Sequence, residues 1–336
     1  MATAFLYNVL LDKWIRPGNV VTESFAGRAI IVTGANSGVG FEVACKFAEL
    51  GASNVILAVR DLEKGEAAKA AIEARTGRKN QLDIWQLDMN SYDSIIAFAK
   101  RAESLPNLGA AILNAGVRKA KFVQSKHGWE EDLQVHVLSS ILLGILLLST
   151  LKASKLQTGR IPALVFVNSG LVKNTTIPSE VIRTSNLLEA YNAAENFRPG
   201  TQYPITKLFL MYATNTLAER VSSGDVIITS TCPGFSRTNM GRDAQFPGID
   251  IILAILAVTL MRTAEQGARH IVSATTVGER VHGRFWKNDI VQPVPASIAG
   301  EENKKIALRV WNEVVDALQK DVPSIKNVLQ AAASRK

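Results

Sequence analysis

Short uninterrupted apolar runs alternate with longer stretches of helical periodicity through most of this chain. The apolar runs fall at 29–32, 54–59, 82–87, 110–113, 164–167, 226–231 and 283–286. Several are continuous rather than alternating, the pattern of strands covered on both faces of a parallel sheet. The stretches between them carry helix signals. Asp61 is placed to cap a helix running to Arg75, which Gly77 stops. Ser91 caps the next, to about Glu103, and Trp129 to Lys152 reads as a long, mostly apolar helix. Thr263 and Gln266 have the spacing of a capping box for a helix reaching Ser273, and Glu302 to Lys320 forms a last, polar-faced helix. Strand–helix alternation of this kind predicts an α/β fold: a single doubly wound, Rossmann-type domain with a mostly parallel sheet of about seven strands. Its bounds are read as 27–320, after an N-terminal extension at 1–26 and before a C-terminal tail at 321–336. A long excursion at 171–202 interrupts the alternation, with a short helix predicted over 185–197.

Two apolar runs are long enough to raise the question of a membrane. The run at 137–151 is broken by Ser139, Ser140, Ser149 and Thr150, and that at 251–261 is shorter still. Both fall below the roughly 20 residues of a spanning helix. The first is expected to be a buried core helix. The second is open between a lid over a ligand and an interfacial contact, so membrane contact is kept as an option.

Composition narrows the partners. At 336 residues and 47% hydrophobic content, the chain can bury a sizeable core. Its net charge of +8 comes from scattered residues with no long Lys/Arg run, which argues against a nucleic-acid partner and suits a phosphate-rich ligand. Cys45 and Cys232 lack any Cys-x-x-Cys spacing, so zinc and dithiol chemistry are not expected and no metal site is read. The pair builds no disulfide framework, which favours a reducing, cytoplasmic location. Residues 1–11 are apolar but have no basic flank, so they are not read as a secretion signal.

The chemistry enters at Thr33-Gly34-Ala35-Asn36-Ser37-Gly38-Val39-Gly40, between an apolar run and a helical one. In the order strand, Gly-rich turn, helix, such a loop binds a dinucleotide. Glycines allow the backbone close to a pyrophosphate, and the helix N-terminus offers it free N–H groups. Gly34, Ser37, Gly38, Val39 and Gly40 are therefore candidate cofactor contacts. The second predicted strand ends Ala58-Val59-Arg60, without the acidic residue that binds a ribose 2′-hydroxyl. Arg60 suits a 2′-phosphate, which predicts NADP(H); Lys64 is either a second such charge or a solvated helix residue. Farther on, Tyr203 and Lys207 are spaced four apart, so on a helix both side chains face one ligand. An ammonium beside a phenol favours the phenolate and lowers its pKa.

With these residues together, the chain resembles the short-chain dehydrogenase/reductase family over roughly residues 26–290. Within it, Val55 to Asp61, Asn186 to Asn192 and Arg262 to Ala268 resemble retinol-dehydrogenase-like reductases, especially fungal ones of secondary metabolism. The resemblance implies Ser169, Tyr203 and Lys207 as catalytic residues. Tyr203 would exchange a proton with the substrate oxygen, Ser169 would hydrogen-bond it, and Lys207 would tune Tyr203 and hold the nicotinamide ribose. It also implies Asp88 near the adenine, Asn114 in Asn114-Ala115-Gly116, and Thr238 in the loop closing over the nicotinamide. The region 239–262 would be the substrate lid; within it, the segment 246–261 is apolar nearly all round. One position departs from the pattern. His136 stands where the family places an Asn that helps hold a relay water, and it is either a substitute for that Asn or a satisfied core histidine. The reading that follows is an NADP(H)-dependent oxidoreductase interconverting a carbonyl and an alcohol on a hydrophobic small molecule. Two rivals are a cofactor-binding protein without turnover and a membrane-surface retinoid or lipid dehydrogenase.

Overall fold

In the computed structural model, which describes residues 12–236 and 260–333, β1 (Ala29–Thr33) lies at the centre of an eight-stranded sheet. Its neighbours are β2 (Asn54–Val59) and β4 (Leu108–Leu113), with Val32 in register with Leu57 on one side and Ile112 on the other. β3 (Leu82–Gln86) lies outside β2, while β5 (Ala163–Val167), β6 (Ile227–Thr231) and β7 (Phe285–Lys287) extend the other half in turn. All of these pair in parallel. The continuous apolar runs have the expected reason: β1, β5 and β6 are buried at every position.

Helices cover both faces. Against one pack α1 (Gly38–Glu49), α2 (Leu62–Thr76) and α6 (Ala264–Ala274), through Val43, Phe47, Ile72 and Ile271. Against the other pack α3 (Tyr92–Ala102), α4 (Glu131–Thr158), α5 (Pro199–Ala218) and α7 (Glu301–Asp321), through Phe98, Leu142, Phe209 and Trp311. The caps form as the sequence predicts. The Asp61 carboxylate accepts from the Lys64 N–H, Gly77 ends α2 at φ 68°, and both bonds of the Thr263–Gln266 capping box are made. Among the described residues α4 alone is long and apolar enough to cross a membrane, but 89% of its most apolar window is inside the protein. Core packing therefore accounts for its hydropathy, including the apolar run at 137–151.

Three expectations change. The sheet has an eighth strand, β8 (Ile290–Val291), antiparallel to β7. Two residues are too short for a periodicity signal; the cue was the turn, where Asn288 and Asp289 both adopt φ 56°, as a two-residue hairpin loop requires. The segment after 320, expected as a tail, contains α8 (Ile325–Ala333), anchored by the buried Ile325 against the α4 side of the core. The excursion at 171–202 is not one helix over 185–197 but several short turns, including helices Ser179–Ile182 and Leu187–Asn192. Side chains of α7 hold it. Glu313 accepts from the N–H groups of Leu187 and Leu188 at 2.8 and 3.0 Å, and Arg309 donates to the carbonyls of Ile182 and Thr184. Thr238 and nearly all of the 239–262 lid lie outside the described residues; Leu260 and Met261 line the cleft described next.

Candidate active site

The strand order reverses between β1 and β4, and a cleft of about 1630 Å³ opens at the carboxyl ends of the strands there. Gly34, Ser37, Gly38, Val39, Gly40, Arg60, Lys64, Asp88, Asn114, Ser169, Tyr203 and Lys207 all line it.

The Gly-rich turn follows β1 directly. Gly34 and Gly38 sit at φ 67° and 56°, the left-handed region that favours glycine. At Gly40 the constraint is distance: a Cβ would lie 2.4 Å from the Gly34 carbonyl oxygen and 2.5 Å from Asn114 Nδ2. Asn114 ties the turn to the sheet. Its Nδ2 donates to the Thr33 carbonyl, while its own N–H and that of Ala115 donate to Thr33 Oγ1, each at 2.9 Å. Ser37 caps α1 in extended backbone without a side-chain capping bond, and no acidic residue stands in the first turn. The N-terminus of α1 is thus open to an anion. Arg60 follows β2, is exposed, and forms no ion pair among the described residues. Lys64 instead pairs with Asp61 at 2.8 Å, an exposed contact that holds the Asp61 carboxyl below its usual value. Asp88 lies after β3, with Oδ1 accepting from the Asn90 N–H at 3.0 Å. Close glycines, an open helix end and a free guanidinium fit the pyrophosphate and ribose phosphate of a dinucleotide.

At the other end of the cleft, β5 delivers Ser169 and α5 presents Tyr203 and Lys207 one turn apart. The Ser169 side chain lies beside that of Tyr203, close enough to favour its phenolate. Lys207 Nζ donates to the Val167 carbonyl at 3.0 Å and lies 5.8 Å from the centre of the Tyr203 ring. The expectation that the ammonium lowers the phenol pKa is not met. Burial, with a contribution from Cys232, pushes Tyr203 up to about 12, against the opposing effects of Ser169 and Arg118. Burial likewise brings Lys207 down to about 8, with Asp132 opposing. In a site this enclosed, desolvation outweighs the pull of the neighbouring charges.

His136 takes the second of its two readings. The Val117 N–H donates to its Nε2 at 3.1 Å, so Nδ1 carries the proton and faces Thr206 Oγ1 at 2.9 Å. Both ring nitrogens are satisfied by protein, and the ring stacks edge-on to Tyr203 with centroids 5.3 Å apart. Burial and the neighbouring Lys207 hold it neutral. Asp132, four residues earlier on α4, is also fully buried; its Oδ1 accepts from the Lys119 N–H at 3.1 Å and its Oδ2 has no hydrogen-bond partner among the described residues. Burial and the nearby Glu130 raise it to about 7.

Several lining residues are absent from the sequence reading: Asp12, Arg16, Arg118, Lys173, Lys287 and Gln292. Asp12 and Arg16 come from the N-terminal extension, which is held far along the chain. The buried Arg262 guanidinium donates to the carbonyls of Asp12 and Arg16, and the Asp12 carboxylate accepts from Lys287 Nζ and Asn288 Nδ2, both at 2.6 Å. No local pattern signals contacts some 250 residues apart. For Arg118 a cue existed, because it lies two residues beyond the Asn114-Ala115-Gly116 turn.

The short chain dehydrogenase family model matches residues 28–179. A short-chain dehydrogenase/reductase of Aspergillus flavipes, ffsI, is 39% identical over 319 residues, covering 93% of this chain and 92% of its own. Another from Phaeosphaeria nodorum, phmF, is 40% identical over 313 residues, covering 92% and 91%. Among solved structures, a short chain dehydrogenase from Escherichia coli CFT073 complexed with NADPH superposes with a TM-score of 0.59 at 23% identity, over 80% of this chain and 100% of that one.

Proposed function

This chain belongs to the short-chain dehydrogenase/reductase family of oxidoreductases, and from that premise we propose that it reduces the carbonyl of a largely apolar small molecule with NADPH. The observation that carries the reading is the convergence of Ser169, Tyr203 and Lys207 on the cleft whose other end holds the Gly-rich turn and Arg60. NADPH, when bound, supplies the hydride. The Ser169 hydroxyl, beside that of Tyr203, is placed to orient the substrate oxygen. The Tyr203 phenol donates the proton that this oxygen gains. Its raised pKa keeps it protonated at neutral pH, which suits reduction rather than alcohol oxidation. Lys207, held by the Val167 carbonyl, provides the ammonium behind Tyr203.

The preference for NADPH rests on Arg60, free of any carboxylate partner among the described residues, at the strand end where a ribose phosphate would lie. The NADPH complex of the Escherichia coli relative is consistent with it. Val117, Phe235 and Leu260 give the cleft apolar walls away from the Gly-rich turn, which supports an apolar body for the substrate. Likeness to fungal family members supports a place in secondary metabolism, and two free thiols, Cys45 and Cys232, support a cytoplasmic one. The test is kcat/KM with NADPH and with NADH across a panel of ketones and aldehydes. Wild type should prefer NADPH, and Arg60→Ala should lose about tenfold or more of that preference, the scale of a charge-assisted hydrogen bond. A wild-type preference for NADH would refute the cofactor assignment. Cofactor binding without turnover of any carbonyl would favour a non-catalytic binder.

A further inference from the structure

The loop between β4 and α4 is pinned on both sides of one residue. The Val117 N–H donates to His136 and the Lys119 N–H donates to Asp132, both at 3.1 Å. Both acceptors are fully buried on the first turns of α4. Arg118 lies between these two anchored amides. Its side chain is exposed, its guanidinium stands 5.5 Å from the centre of the Tyr203 ring, and no carboxylate pairs with it among the described residues. A flexible surface arginine needs no such foundation. Here two buried polar side chains, one with an unpartnered oxygen, fix the backbone so that a free cation overhangs the proposed proton donor.

The rest of that end of the cleft is also short of negative charge. Lys287 Nζ lies 4.0 Å from where a Cβ would stand on Gly170, next to Ser169, and pairs with Asp12. Lys173 donates to the neutral Gln292 at 2.7 Å, and burial and the charge of Lys287 depress its pKa. Arg118, Lys173 and Lys287 thus join Lys207 at the reactive end with one lining carboxylate among the described residues, Asp12; the other lining aspartates, Asp61 and Asp88, follow β2 and β3. A guanidinium with five donors and no carboxylate partner among the described residues is suited to hold a planar oxyanion.

We propose that Arg118 is a substrate-specificity residue, and that the carbonyl substrate carries an acidic group, a carboxylate or an equally acidic enol, bound by Arg118 beside Tyr203. The inference rests on the oxidoreductase reading above and narrows its substrate class to an apolar carbonyl compound with one anionic end.

The test compares para-carboxybenzaldehyde with its methyl ester, which differ in that charge. Wild type should show a kcat/KM for the acid about tenfold or more above that for the ester. In Arg118→Gln the acid-to-ester ratio should collapse toward one through a higher KM for the acid, and Arg118→Lys should restore part of it. The ratio cancels any effect Arg118 has on Tyr203 that is common to both aldehydes. Isothermal titration of the two compounds into protein saturated with NADP+ reads the same preference without turnover. An acid preference that survives in Arg118→Gln, a wild-type preference for the ester, or the absence of any preference in both assays would overturn the proposal. So would an equal loss of NADPH affinity in Arg118→Gln, which would assign the guanidinium to the cofactor. Titration of NADPH into wild type is run first: failure to bind refutes the oxidoreductase reading itself, whereas NADPH binding without acid preference refutes only the role of Arg118.

Discussion

At the scale of residues, the reactive group is defined by desolvation as much as by neighbours. Tyr203 and Lys207 are both nearly inaccessible, so burial moves the phenol up to about 12 and the ammonium down to about 8, driving the two values apart. Tyr203→Phe removes one hydroxyl and leaves the packing of α5 intact. Carbonyl reduction should fall about 100-fold or more, the usual scale for a lost acid-base group, with NADPH affinity and Tm nearly unchanged. A variant retaining most of its rate would mean that another group supplies the proton. The lowered pKa of Lys207 gives a second expectation. The ammonium is present below about pH 8 and lost above it, so reduction should decline as pH rises through that value. Lys207→Arg, which stays charged, should move that decline to higher pH in a kcat profile. His136 and the Tyr-x-x-x-Lys pair differ in how legible they were. Tyr203 and Lys207 share a face by spacing alone, but the role of His136 depended on which groups met its two nitrogens.

At the scale of elements, the first turns of α4 do the positioning. Asp132 and His136 hold the loop over Tyr203, and the price is a carboxyl inside the protein. In the unfolded chain Asp132 titrates near its ordinary 3.8, but in the folded protein near 7. Between these values the unfolded chain has released its proton while the folded protein still binds one, so this residue makes stability fall as pH rises from about 4 to about 7. Asp132→Asn keeps an oxygen for the Lys119 N–H and removes the titration. Its Tm relative to wild type should therefore be higher at pH 7 than at pH 4, as thermal melts at the two values would read. An unchanged difference would mean that Asp132 is already solvated in the folded state. The apolar periodicity of α4 was plain in the sequence, but the buried acids on its first turns were not, because a charged residue at a helix start reads first as a solvated N-terminal charge.

At the scale of the whole molecule, the N-terminal extension and the β7–β8 turn meet at the cleft through Arg262. Its guanidinium, only 1% exposed, gathers the carbonyls of Asp12 and Arg16 and the Asn288 side chain. It also donates to the Pro233 carbonyl, shortly after β6, and so joins that part of the chain to the N-terminal extension and to the β7–β8 turn. Arg262→Met keeps the bulk but removes the donor from these part-buried oxygens, at a cost of about 1–3 kcal/mol for each one kept from water. Tm should drop by several degrees, and NADPH affinity should fall with it, since Asp12, Arg16 and Asn288 line the same cleft. A lower Tm with intact NADPH affinity would confine the network to stability.

The sequence by itself determined the architecture and most of the cleft. Parallel strands buried on both faces need unbroken apolar runs, caps need Asp, Ser or Thr at helix starts, and a turn against a phosphate needs glycine; each requirement is local and leaves a local trace. The positions of Gly34, Gly40, Ser169, Tyr203 and Lys207 around one cleft follow from that order of elements and the topology it permits. Tertiary structure alone decided the rest. A two-residue strand has no period, so β8 and the helix after 320 emerged only through packing. The N-terminal extension joined the cleft through contacts with Arg262, Lys287 and Asn288, far away along the chain. The titration of Tyr203, Lys207 and Asp132 is set by desolvation, which depends on everything that surrounds a group and on nothing in its sequence neighbours. Arg118 shows the same division: its identity is written in the chain, but its placement over Tyr203 exists only because α4 folds back to hold the amides on either side of it.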